Sequence, residues 1–228
     1  MLQQYCKKTQ LIYNEIVSNT RSMSMDELPH NCEAIMEHAD PPGLGTSMEK
    51  LLDRLRCGVF LDENRQKYWI DGKTGYNCFM VFARDLSITW GNDNRYWNWA
   101  SFQETSNVFV DIASLTNVCW LEVRGKLDTS NLSPGVKYVV TFVISLKNTA
   151  NGWNVPVNFE LILPDGTKQE RKEDFPSKPK GQLLEILVGE FETGREIEGD
   201  VKFSLIEING GLWKSGLVLK GVRIQPKK

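Results

Sequence analysis

The sequence predicts an all-β protein, an antiparallel jelly-roll-like β-sandwich with a short helical N-terminal appendage. Two observations carry that prediction. From Cys57 onward helical periodicity almost vanishes, and apolar residues alternate with polar ones in many short runs. Those runs follow one another through glycine, asparagine or proline without helices between them, the pattern of a sandwich or jelly roll.

The appendage, residues 1–56, comes first. LIYNEIVSN puts Leu11, Ile12, Ile16 and Val17 on one helical stripe, and MEKLLDRLR is a second helical run. Between them ADPPGLGTS, with Pro41, Pro42, Gly43 and Gly45, breaks any regular element, so this part reads as helical and partly flexible. Residues 57–228 form the β domain. In YVVTFVISLKN, Tyr138, Val140, Phe142, Ile144 and Leu146 fall on one face of a strand. VNFELILPDGTKQERKE reads as a hairpin about a Pro164-Asp165-Gly166 turn. VCWLEVRGKL, LLEILVGEF, VKFSLIEING and SGLVLKGVRIQP supply further strands, whereas the charged, two-proline segment RKEDFPSKPKG is expected to be a mobile loop.

With 228 residues, 41% hydrophobic, 25% charged and a net charge of -2, the chain has the balance of a soluble globular protein with no demand for a polyanionic partner. MLQQYCKKTQ lacks the features of a secretory signal, and no apolar run approaches the roughly 20 residues that span a bilayer, so a cytoplasmic protein with no membrane partner is expected. The five cysteines, Cys6, Cys32, Cys57, Cys78 and Cys119, are scattered, with no C-x-x-C pair and no zinc spacing, and read as free thiols. The sequon Asn131-Leu132-Ser133 is then unused.

Chemistry is narrowed by what the β domain lacks. Both histidines, His30 and His38, lie in the appendage, which removes Ser-His, Cys-His and histidine-metal sites from the β domain. No G-x-x-x-x-G-K-[ST] phosphate loop occurs. Paired carboxylates are the remaining catalytic option, with Glu122, Glu160, Glu185, Glu190, Glu192 and Glu207 as candidates, but acidic residues on strands are usually solvated or paired. Asn92, Asp93 and Asn94 carry oxygens suited to calcium, yet have no companion acidic cluster and are standard turn formers. The expectation is a protein that binds rather than catalyses, without cofactor or metal.

Binding directs attention to the seven tryptophans, three of them in ITWGNDNRYWNW. Trp69 and Trp120 follow strand-like patterns and read as core or sheet-face residues. Trp97 and Trp99 are two apart and share a face, so at least one belongs to the core. Trp90 closes one strand and Trp97 opens the next, so their rings can converge on one groove, with core packing as the alternative. Carbohydrate fits such a groove: sugar C–H faces pack on indole, and Asn92, Asp93, Asn94, Glu207 and Lys214 offer partners for hydroxyls. A sugar ring covering roughly 60–100 Å² gains about 1.5–2.5 kcal/mol, so useful affinity needs linked sugars or several sites.

NCFMVFARDLSITWGNDNRYWNW, followed by VCWLEVRGKL and FSLIEINGGLWKSGLVLKGVRIQP, closely resembles the plant phloem lectins of the phloem protein 2 family and the related Nictaba-type lectins, from about Cys57 to Pro226. The resemblance implies a non-enzymatic, commonly homodimeric sandwich that binds N-acetylglucosamine oligomers, in chitin fragments or N-glycan cores, in phloem defence or wound sealing. It implies sugar binding by the tryptophans of the ITW and YW motifs, here Trp90 and Trp97. It also marks Glu207 of the EIN motif and Trp213, Lys214, Ser215 and Gly216 of the WKSG motif. Family members are described as partners of phloem filament protein through cysteines and as RNA binders, and the implied location is phloem sap; the lysines of RKEDFPSKPKG add a nuclear pool as the variant. LPHNCEAIMEHADPP, Leu28 to Pro42, resembles the first portion of an F-box, which leaves a protein-interaction module as the runner-up.

Overall fold

The computed structural model describes residues 28–41, 43, 48–194 and 199–228. The LIYNEIVSN stripe and Cys6 lie outside them. Two helices, α1 (Cys32–Glu37) and α2 (Met48–Cys57), precede thirteen strands among the described residues. The strands are β1 (Val59–Leu61), β2 (Gln66–Ile70), β3 (Asn77–Phe82), β4 (Ser87–Ile88), β5 (Trp97–Gln103), β6 (Phe109–Leu115) and β7 (Leu121–Asp128). They continue as β8 (Lys137–Asn151), β9 (Val157–Ile162), β10 (Lys168–Glu173), β11 (Leu183–Glu192), β12 (Asp200–Glu207) and β13 (Ser215–Pro226).

They form two antiparallel sheets packed as a sandwich. The larger runs β1-β2-β3-β13-β6-β5, with β8 joining β13 to β11; the smaller runs β10-β9-β12-β7-β4. Alternation in β8 does what the sequence predicts: Tyr138, Val140, Phe142, Ile144 and Leu146 are all buried. Across the interior, Phe142 meets Phe159 and Phe203 of the smaller sheet edge-on, at centroid separations of 5.5 and 6.3 Å. The β9–β10 hairpin has the expected turn, closed by Gly166 N–H donating to Leu163 O and Thr167 N–H to Asp165 Oδ1.

Two segments differ from expectation. Residues 28–41 are built into the sandwich: Cys32, Ile35 and Met36 of α1 are buried in the main core, as are Leu51 and Leu55 one turn apart on α2. Asn77, fully buried, ties this segment down, because its Nδ2 donates to His30 O (2.7 Å) and Asn131 O (2.8 Å) while its Oδ1 accepts from Tyr68. The RKEDFPSKPKG segment is anchored: Phe175 is completely buried, 5.0 Å from the Trp153 ring centroid, and Lys178 pairs with Glu173. Charge and proline content hid one apolar anchor.

Candidate functional site

Strand order in the smaller sheet decides what comes together. β7 runs antiparallel to both β12 and β4, so the end of β12, the start of β7 and the end of β4 lie side by side. A tryptophan follows or precedes each: Trp213 beyond β12, Trp120 before β7, Trp90 beyond β4. All three are exposed, by 55%, 43% and 45%. Hydrogen bonds knit their supports together: Thr89 N–H donates to Glu122 O, and Lys214 and Val118 exchange both backbone bonds.

Trp90 has φ of +58°, a left-handed conformation costly for a bulky residue. The turn is closed by Gly91 N–H to Ile88 O and Asp93 N–H to Trp90 O, both 2.9 Å. The resulting conformation leaves the indole in solvent against Tyr96, centroids 5.1 Å apart. In the following loop, the exposed Asn92 and Asn94 side chains make no hydrogen bond to described residues. Asp93 is committed to Arg95, whose guanidinium reaches both carboxylate oxygens at 2.6–3.1 Å and holds the carboxyl below its usual range.

Three expected ligand contacts are corrected by burial. Trp97 is 2% exposed in the main core, and its indole N–H is taken by Thr89 O at 3.2 Å; a ring so enclosed has no face for a sugar. Glu207 and Lys214 are 3% and 0% exposed and form an ion pair with each other. Lys214 Nζ also donates to Cys119 O (3.0 Å) and Leu212 O (2.8 Å), while Glu207 Oε1 accepts from Gly210 N–H at 2.8 Å. The pair fastens the β12–β13 loop to the start of β7 and thereby presents Trp213. Gly152 locks the same loop from the other side: at φ +83°, a Cβ there would lie 1.9 Å from Trp213 O. Trp99 is partly buried against the main core, with Nε1 donating to Gly91 O and the Arg84 guanidinium 3.6 Å over its ring.

Two rim residues escaped the sequence reading. Tyr96 backs Trp90, and nothing but proximity in the chain signalled it. Trp120 reads as core or sheet face, and the structure selects the outer sheet face: the inward set Leu121, Val123 and Leu127 sends Glu122 and Arg124 outward, and Trp120 with them. Its N–H donates to Glu122 Oε2 (2.9 Å), and Arg124 donates to Oε1 (2.7 Å). These two donors hold the Glu122 carboxyl below its ordinary range, so it is an acceptor throughout the neutral range. The assembled surface offers flat apolar rings, fixed acceptors and open amides. Among the described residues no cluster of three His, Cys, Asp or Glu side chains is placed to hold a metal.

Comparison with known proteins agrees with this picture. Residues 76–226 match the phloem protein 2 family. Phloem protein 2-like A1 of Arabidopsis thaliana is 46% identical over 203 residues, covering 88% of this chain and 82% of its own. A lectin of Luffa acutangula is 42% identical over 201 residues, covering 87% and 95%. An F-box protein of Arabidopsis thaliana is 31% identical over 188 residues, covering 75% of this chain and 58% of its own. With the matched region taking in nearly all of the sandwich, the chain belongs to the phloem protein 2 family.

Proposed function

We propose that the chain is a carbohydrate-binding lectin whose ligands are oligomers of N-acetylglucosamine, held on the rim of Trp90, Trp120 and Trp213. The observation that carries the reading is the convergence of three exposed indoles on neighbouring strand ends. Buried indoles stabilise a core; three exposed ones, two of them fixed by a strained turn and a buried ion pair, present apolar faces to something outside. The lectin among its relatives supports carbohydrate as that something. An acetamido sugar suits the surface, since its ring and methyl pack on indole while its N–H and hydroxyls meet Glu122, Asn92 and Asn94. At about 1.5–2.5 kcal/mol per covered ring, one sugar binds weakly and a chain touching two or three rings binds usefully. A homodimer carrying two rims would multiply that by avidity, the form in which we place the protein in phloem defence.

The test is titration with chitotriose, read by tryptophan fluorescence and calorimetry. Saturable quenching with micromolar to low millimolar affinity is expected, with cellotriose, which lacks the acetamido groups, binding more weakly. Absence of any response to chitotriose overturns the reading.

A further inference from the structure

The smaller sheet also carries a cleft away from the rim. We propose that the outer face of this sheet holds a second saccharide subsite, continuous with the rim, that receives the far end of a longer neutral oligosaccharide; this rests on the rim being a glycan site. The cleft has a volume of about 340 Å³, and its walls include Arg124, Lys126, Glu160 and Lys202. Its depth has a sequence cause. Ser87 and Ser204 both pair with Arg124, one from each neighbouring strand, so two short side chains flank a long one. On the inner face, Gly125 pairs with Phe203, and a Cβ on that glycine would lie 2.3 Å from the Phe203 ring, so the glycine makes room for that buried ring beneath the sheet.

Continuity with the rim follows from the two-residue period of β7. Trp120, Glu122, Arg124 and Lys126 share the outer face, and the first three are already joined by hydrogen bonds through Glu122. From Trp120 to Lys126 the face extends about 20 Å at about 3.3 Å per residue, the scale of an oligosaccharide rather than a single sugar.

Charge selects a neutral occupant. Arg124 is paired with Glu122, Lys126 with Asp200 and Lys168 with Glu160, so most charges already face their opposites. What remains is an apolar floor bordered by donors and acceptors of both kinds, and one exposed ammonium, Lys202, with no partner among the described residues. Such a surface answers hydroxyl and amide groups, with Lys202 as one further donor on an otherwise charge-paired face.

The experiment is calorimetry of N-acetylglucosamine oligomers, from the disaccharide to the hexasaccharide, on the full chain, Ser204→Leu, which fills the cleft, and Lys202→Ala, which opens it. Wild-type affinity is expected to rise about tenfold with length, equivalent to about 1.4 kcal/mol. Both variants, folded by circular dichroism, should bind the disaccharide as wild type does and lose the rise. A rise retained in both variants, or binding by the wild type that does not depend on length, overturns the cleft while leaving the rim intact. If no oligomer binds the wild type, the rim reading falls and the cleft with it.

Discussion

Replacing Lys214 with methionine tests how the rim is held. Methionine keeps most of the apolar stem and loses all three donors, so Cys119 O and Leu212 O lose their lysine partner and the Glu207 carboxylate is left buried with the Gly210 N–H alone. Removing one partner of a buried pair costs about 3–5 kcal/mol, because the remaining charge keeps its desolvation penalty without its counter-charge. Set against a total stability of about 5–15 kcal/mol, that is a large fraction. At about 2–4 °C per kcal/mol for a chain of this size, the melting temperature should fall by roughly 6–20 °C. Urea unfolding followed by circular dichroism, with scanning calorimetry, measures it. Lys214→Met combined with Glu207→Gln should recover much of the loss, since no buried charge then remains. A single variant within about 1 kcal/mol of wild type, or a double variant no better than the single, would refute this account of the pair.

Two further predictions follow from local geometry. At position 90, glycine adopts the left-handed conformation without a Cβ penalty, so Trp90→Gly should be more stable than Trp90→Ala by about 1 kcal/mol in urea unfolding, reversing the usual order. Burial pushes the Cys78 thiol up to about 12 from an ordinary 9.0 and raises Cys32 as well, while Cys57 is exposed. In a Cys6→Ser background at pH 8, a thiol reagent should therefore label Cys57 promptly and Cys32 and Cys78 only in denaturant. Because these two pKa values are raised on folding, their contribution to stability is complete below pH 9 and declines as pH rises beyond it, when the unfolded thiols ionise first.

The sheets were legible because their signal is local and redundant. The longer strands repeat the two-residue period several times, as β8 does from Tyr138 to Leu146, and no single residue decides the outcome. The site was less legible because it depends on single side chains. Trp97 opens β5 and looks like a partner for Trp90 across their loop, but whether the face it shares with Trp99 meets the other sheet is a tertiary fact, and that face is turned inward, burying Trp97 and leaving Trp99 partly covered beneath Arg84. Glu207 and Lys214 look like hydroxyl partners until their mutual burial is seen. Trp120 reads as core or sheet face because large apolar residues on strands usually pack. Its outward direction was available by counting back from Leu121 and Val123. Residues 28–41 read as part of a helical, partly flexible appendage because one of their anchors, the Asn77 amide, is a buried polar residue remote in sequence.

The central claim is that exposed indoles, rather than the buried one between them, hold the ligand. Calorimetric titration of chitotriose into Trp90→Ala and Trp97→Phe, each shown to be folded, tests it most directly. Loss of one ring's coverage, about 1.5–2.5 kcal/mol, should weaken Trp90→Ala by about 10- to 70-fold. Trp97→Phe should remain within about threefold of wild type, because its ring meets only protein. Unimpaired binding by Trp90→Ala together with lost binding by a folded Trp97→Phe would contradict the account.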